Sequence, residues 1–289
     1  MCTEFLYVLS LRGYQSLVRI LLDEEEANVN AQGDIYGNAL QAAAAEGKEE
    51  IVRMLLENRA KINAQGGICG NTLQAAAAKE EVEIVKMLLK NGADVNAQGG
   101  LFGNALQAAA SEEEDEEIVK MLLENGADVN AQGENGAHVN AQGGPYGNAL
   151  QAATAQGKIK IVKMLLKNGA EINAQGGPYS NALQAAAIQE NKKIVNMLLK
   201  NGADVNAQGG IYGNALQAAA AQGNKEIVGI LFKKGAKFRY SRTYVFLPLP
   251  HPWLAIFLLI SCVIALVLKT WHLELLWLWA WVRDANLDA

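Results

Sequence analysis

The chain has 289 residues, 51% hydrophobic and 19% charged, with 25 Lys and Arg against 30 Asp and Glu for a formal net charge of -5. That balance argues against a nucleic-acid binder, which needs a basic footprint. Cys2, Cys69 and Cys262 are too scattered for a disulfide framework or a CxxC metal site. The histidines, His138, His251 and His272, leave almost no material for a metal centre or a His-based catalytic set.

The first element is the apolar run Phe5-Leu6-Tyr7-Val8-Leu9-Ser10-Leu11. It carries Glu4, has no basic n-region and no small-residue cleavage site, so it does not read as a signal peptide. It aligns with the unit that follows: Leu6 on Leu40, Gly13 on Gly47, Leu17-Val18 on Ile51-Val52. Residues 1–33 are therefore expected to form a partial repeat. A solenoid end usually carries a polar cap. Here Phe5, Tyr7 and Val8 are expected to be exposed, which points to a truncated gene model or to a partner covering this end.

From Asn38 onward the string Asn-Ala-Leu-Gln-Ala-Ala recurs, starting at Asn38, Asn71 (with Thr72 for Ala), Asn104, Asn148, Asn181 and Asn214, at spacings of 33, 33, 44, 33 and 33. A fixed period near 33 indicates stacked supersecondary units. In each, the asparagine can cap a helix, its side-chain oxygen accepting from orphan backbone N–H groups. The alanines that follow are the strongest helix formers and leave little bulk, so neighbouring helices can approach closely. A second helix carries an apolar stripe such as Ile51, Val52, Met54, Leu55 and Leu56. It ends at Asn-Gly, as at Asn91-Gly92 and Asn201-Gly202, where glycine takes the left-handed conformation without steric cost. An extended Asp-Val-Asn-Ala-Gln-Gly-Gly finger completes the unit.

Helix, loop, helix and finger at this period strongly resemble the ankyrin repeat over about residues 1–239. That family's Thr-Pro-Leu-His-x-Ala-Ala stands here as Asn-Ala-Leu-Gln-Ala-Ala-Ala, and its Gly-Ala-Asp-Val-Asn-Ala is nearly unchanged at Gly92–Ala97 and Gly202–Ala207. Asparagine replaces the threonine, alanine the proline and glutamine the histidine, and the finger aspartate is usually glycine, as at Gly99. The Gly-Gly-x-Tyr-Gly-Asn pattern looks like arrays of filamentous fungi, often attached to NACHT-type NTPases. No GxxxxGK[ST] occurs, so no NTPase domain is read here. The resemblance implies an all-α repeat solenoid.

Several irregularities stand out along the array. Asn58-Arg59 replaces Asn-Gly, and a non-glycine residue at positive φ costs roughly 1 kcal/mol, so this boundary is expected to be the least well capped. The 44-residue step decomposes into the near-duplicates Glu124–Gly133 (ENGADVNAQG) and Glu134–Gly143 (ENGAHVNAQG) plus one residue in the acidic run Glu112–Glu117. A tolerated surface loop explains it; a bulging finger or a hinge is the functional alternative. The acidic runs Asp23–Glu26 and Glu112–Glu117 read as solvated loops or as a dock for a basic partner. The array then divides into three repeats over 34–133, an insertion at 134–143 and three repeats over 144–239.

Beyond it lies a basic and Pro-rich linker, 240–252. Lys233, Lys234, Lys237, Arg239 and Arg242 precede Leu-Pro-Leu-Pro-His-Pro, a stiff extended segment. The apolar run that follows contains Trp253, Leu254, Ile256, Phe257, Leu258, Leu259, Ile260, Val263, Ile264, Leu266, Val267, Leu268 and Trp271. Its uncharged part is 16 residues, about 24 Å as a helix against roughly 30 Å of hydrocarbon. Lys269 can snorkel, and Trp253 and Trp271 then lie about 27 Å apart, suiting an aromatic belt. The aliphatic and Phe residues supply roughly -3 to -7 kcal/mol for insertion. Residues 253–272 are expected to form a transmembrane helix, with a short tail at 273–289. The bases on its N-terminal side put the repeats in the cytosol. The opposing reading is a buried helix or an artefactual tail on a cytoplasmic protein.

No paired carboxylates, Ser/His/Asp set or phosphate loop survives the repeat as an explanation, so no enzyme, no cofactor and no metal are expected. What remains is surface. Each finger presents an apolar or Pro residue followed by Tyr36, Phe102, Tyr146, Tyr179 or Tyr212, with Ile68-Cys69 as the exception. Two readings compete for this aromatic ladder: each ring packs against the next finger, or the rings form a binding edge, as Tyr is enriched in hot spots. The family resemblance implies that fingers and first helices line the binding groove for another protein, with Lys79, Gln156, Ile188 and Gln222, at the end of helix one, setting specificity. The expectation is thus a protein-binding scaffold anchored in a membrane. The alternative is a soluble fragment of a fungal signalling receptor or transcription coregulator.

Overall fold

The structure, a computed structural model, describes residues 2–24, 27–111, 116–132 and 146–238. Among them are fourteen α-helices and no β-strand. They come in seven antiparallel pairs: α1 (Cys2–Arg12) with α2 (Gln15–Asp23), α3 (Ala39–Ala45) with α4 (Glu49–Glu57), α5 (Thr72–Ala78) with α6 (Val82–Lys90), α7 (Ala105–Ser111) with α8 (Glu116–Glu124), α9 (Ala149–Ala155) with α10 (Ile159–Lys167), α11 (Ala182–Ile188) with α12 (Lys192–Lys200), and α13 (Ala215–Ala221) with α14 (Lys225–Lys233). First helices pack on first helices and second on second, giving two parallel rows.

Every short first helix after α1 starts where the sequence places it. Asn38 and Asn71 sit in extended conformation and accept from the N–H of Gln41 and Gln74; the glutamine side chains return the bond to the asparagine N–H, completing a capping box at each. All seven residues of α3 are buried. Small side chains suit it, because each interior first helix is packed between two others; Thr72, Ser111 and Thr154 take alanine positions elsewhere and are also buried. The second helices bury one stripe only, Ile51, Val52, Met54 and Leu55 in α4 and Ile161, Val162 and Leu165 in α10, and leave charged residues outside. One continuous core runs the length of the array from Leu6 to Ala236.

The first pair is complete rather than partial in its helices. Leu6 is buried at the Leu40 position, as expected, and Phe5 and Val8 are 60% and 47% exposed. Tyr7 departs from expectation. It is buried, and its hydroxyl accepts from the Tyr36 N–H at 3.3 Å. Tyr7 stands where Gln41 stands in the next unit, and like it reaches forward to the following finger.

Arg59 adopts φ 62° in the left-handed region. Against expectation the capping bonds persist: Arg59 N–H donates to Leu56 O at 3.1 Å and Ala60 N–H to Leu55 O at 2.9 Å, matching the glycine boundary at Gly92 and Ala93. Strain of roughly 1 kcal/mol remains. Glu80, Glu190 and Ser180 are also left-handed, at φ 59°, 55° and 67°.

The stack does not break at the 44-residue step. Asn130 accepts from the Glu171 N–H at 2.7 Å and donates to Gly169 O at 3.2 Å. Asn63 makes the same pair of bonds to Asp94 and Gly92. Thus 124–132 supplies a finger base in regular register. Residues 133–145, and with them His138 and Pro145, lie outside the described residues. So do Glu112–Asp115 and everything from Arg239 onward, including the linker, the Trp253–Trp271 run and the tail. Among the described residues no helix is long and apolar enough to cross a membrane.

Candidate functional site: the finger edge

Four fingers are five-residue hairpins closed by one antiparallel pair, Gly66 with Gly70, Gly99 with Gly103, Gly176 with Ser180 and Gly209 with Gly213, and the first is bridged by Gln32 with Asn38. Two devices fix them. Gln74 Nε2 donates to the carbonyls of Ala97, Gly99 and Gly103 at 3.0–3.2 Å, tying a first helix to the finger of the following repeat. Gln41 does the same to Ala64, Gly66 and Gly70. The asparagine ladder, Asn30, Asn63, Asn96, Asn130, Asn173 and Asn206, bridges successive finger bases through its side chains. In the sequence the glutamine shows only as a replacement for histidine; the signal of its role is its invariable place three residues after the capping asparagine.

Neighbouring fingers also meet directly. Ile68 N–H donates to Ile35 O and Leu101 N–H to Ile68 O, both at 2.8 Å. Contact is close enough that a Cβ on Gly67 or Gly100 would lie 2.2 Å from the carbonyl carbon of Tyr36 or Cys69. Only glycine fits there, and both have φ above 60°.

This geometry assigns different tasks to the two residues at each tip. Tyr36, Phe102, Tyr146, Tyr179 and Tyr212 are all half-buried. Phe102, Tyr146 and Tyr212 pack on the main core, and Tyr36 packs on Ala45, Cys69 and Ala75. Three hydroxyls meet the end of the same repeat's first helix: Tyr36 donates to Glu46 at 3.2 Å, with the phenol pKa pushed up by burial and by that carboxylate; Tyr146 accepts from Gln156 at 2.8 Å; Tyr212 accepts from Gln222 at 3.5 Å. The ring thus braces its finger against the helix end of its own repeat, and Tyr36 also packs on Cys69 of the next finger. The residue before it is the exposed one. Ile35, Ile68, Leu101 and Ile211 are 61%, 50%, 52% and 78% exposed, with Pro178 exposed at the same register. They form an apolar line along the finger edge.

Of the helix-end residues, Lys79 and Gln156 are exposed and Gln222 is half-buried. Each is the eighth residue after its capping asparagine. Ile188 is the seventh, half-buried and packed on the core. Gln189 holds the equivalent place, so Ile188 is out of register with the other three. Because the seven residues of a first helix are buried in α3, α5, α7 and α9, only this terminal position brings a first helix to the surface beside the fingers. Cys69 replaces the ring in the second finger; it is a free thiol whose burial raises its pKa, partly offset by Lys79. Among the described residues no group of three or more His, Cys, Asp or Glu is arranged to hold a metal ion.

A family model described as Ankyrin repeats (3 copies) matches residues 3–66, 66–133, 134–209 and 150–242. Among solved structures, the crystal structure of the human ASB11 ankyrin repeat domain superposes with a TM-score of 0.66 at 22% identity, covering 82% of this chain and 99% of that one. At that identity the likeness concerns fold alone. No curated protein sequence matches the chain significantly.

Proposed function

From the chain's membership of the ankyrin repeat family, whose arrays are protein-interaction modules, we propose that it binds a protein partner along the finger edge, with Ile35, Ile68, Leu101 and Ile211 as the apolar contacts. The helix-end residues Lys79, Gln156 and Gln222 set polarity beside them, and Tyr36, Phe102, Tyr146, Tyr179 and Tyr212 hold the edge in shape. The observation that carries this reading is the contrast in exposure at the tip: the aliphatic residue faces solvent, while the ring is half-buried and, in three fingers, hydroxyl-paired. Contiguous exposed apolar residues on a protein surface mark interaction sites.

The test compares two folded triple variants in partner capture from the source cell. Ile35→Ser/Ile68→Ser/Leu101→Ser is expected to lose the proteins that the wild type retains. Lys86→Ser/Lys120→Ser/Lys163→Ser, on the second-helix row, is expected to keep them. Retention by the first variant removes the finger edge as the site. Tyr146→Ala/Tyr179→Ala/Tyr212→Ala is expected to weaken binding together with thermal stability, as a brace would.

Membrane attachment is the finer part of the proposal. Residues 253–272 anchor the array with the repeats on the cytosolic side, supported by the Trp-bounded apolar run and the bases before it. Alkaline carbonate extraction of the full chain beside a version ending at Pro250 tests it. The full chain stays in the pellet and the shorter one extracts; if both extract, the anchor fails and the cytoplasmic alternative stands.

A further inference from the structure

The two ends of the array are unequal in a way that the interior explains. Phe5, Val8 and Leu17 are 60%, 47% and 48% exposed. Their equivalents in the next repeat, Ala39, Ala42 and Ile51, are 2%, 0% and 0% exposed, and those of the last repeat, Ala215, Ala218 and Ile227, are likewise at 2% or below. The interior residues are covered by the helix pair before them. Ile20 extends the same face. At the other end Val228 is half-buried although Val52, Val85, Val119, Val162 and Val195 are fully buried, and Ala221 is exposed although Ala45 is buried. Phe232 is 38% exposed beside them. The first repeat thus shows one half of the repeat–repeat interface and the last repeat shows the other half.

Charge follows the same polarity. Residues 1–132 hold 22 acidic against 10 basic side chains, whereas 146–238 hold 11 lysines against 4 acids. Two copies meeting first repeat to last repeat bring opposite charges together; two copies meeting first to first bring like charges together.

We infer that the α1–α2 face of one copy docks on the α13–α14 face of a second copy of this chain, continuing the stack across molecules. Phe5 and Val8 are larger than the alanines at the equivalent positions. They need the small side chains of α13 opposite them, and the joint is wider than a covalent one. A heterologous contact of this kind leaves one unused face at each end, so it grows as open chains. The inference is independent of what the finger edge binds.

The test is sedimentation velocity of the full chain in a mild detergent over a hundredfold concentration range. Leu17→Glu/Ile20→Glu spoils one face and Ala221→Glu/Phe232→Glu the other; circular dichroism checks that both fold, and the quadruple variant sets the monomer baseline. The wild type is expected to grow with concentration and to shrink in high salt, and each face variant alone to stay at the baseline. An equimolar mixture of the two is expected to form dimers and stop there, since one good pair of faces remains. A wild type at the baseline throughout overturns the inference. So does an Ala221→Glu/Phe232→Glu variant that still dimerises, because that is the signature of first-to-first pairing.

Discussion

The fingers of residues 34–132 and those of residues 146–238 have almost the same sequence, yet they are held differently. In the first group Gln41 and Gln74 each donate to three carbonyls, and fingers are joined by the Ile68–Ile35 and Leu101–Ile68 bonds. In the second, Gln151 donates to two, Ala174 and Ser180, both at 3.1 Å, Gln184 reaches only Ala207 O, at 3.5 Å, and Ile211 makes no bond to Pro178. Two substitutions account for the difference. Pro178 has no N–H to offer the finger before it. Ser180 stands where the other fingers have Gly37, Gly70, Gly103, Gly147 and Gly213. A Cβ at Gly70 would lie 2.8 Å from the Gly99 carbonyl carbon; Ser180 has that Cβ, and the following finger has moved away. A Cβ on Gly210 would accordingly find its nearest backbone atom at 3.4 Å, against 2.2 Å for Gly100. Single atoms at a close approach thus decide whether identical motifs lock.

The largest expected effect comes from adding a methyl group at that approach. Gly100→Ala drives a Cβ into the Cys69 carbonyl and is expected to cost about 3 kcal/mol. Gly210→Ala carries the same left-handed strain at φ 62° but meets more room, so about 1 kcal/mol. Urea unfolding of the two variants checks the contrast, and equal losses break it. Next come the glutamines. Gln74→Leu leaves three carbonyls and the Asn71 N–H without that partner, about 3 kcal/mol, whereas Gln184→Leu removes one long bond, about 1 kcal/mol. Ser180→Gly is expected to stabilise by about 1 kcal/mol through relief of φ 67°, and to lower the exchange rate of the fingers on either side.

The smallest effect is electrostatic. Burial, then Glu49, raises the Glu81 pKa, with Lys48 opposing. A carboxyl with a raised folded-state pKa favours the fold while protonated, below its ordinary value of 4.5, and loses that contribution as pH rises through the folded value. Glu81→Gln is therefore expected to raise the melting temperature slightly at pH 7, with the gain vanishing below pH 4.5. An equal gain at both pH values contradicts the assignment.

Much of this molecule is legible in its sequence because the period repeats the evidence. The caps at Asn38 and its equivalents, the alanine helices, the apolar stripes and the left-handed Arg59 all follow from local rules. What escapes is what depends on a neighbour one repeat away. Gln41 is bonded to residues 23 to 29 positions distant, and no local pattern announces that. Tyr7 reads as surplus bulk until its hydroxyl is seen on the next finger. At the tips, a two-residue Ile-Tyr step does not say which member faces water; the helix end beneath the ring decides it. The duplicated finger is ambiguous for a simpler reason: its copies differ only at Asp128 and His138, so only the bonds of Asn130 identify the one in register.

The fingers are zipped at Ile35, Ile68 and Leu101 and loose between Pro178 and Ile211. Amide hydrogen exchange at residue resolution tests it most directly. Slow exchange at Ile68 and Leu101 with fast exchange at Ile211 is the predicted result; equal protection at all three would contradict it.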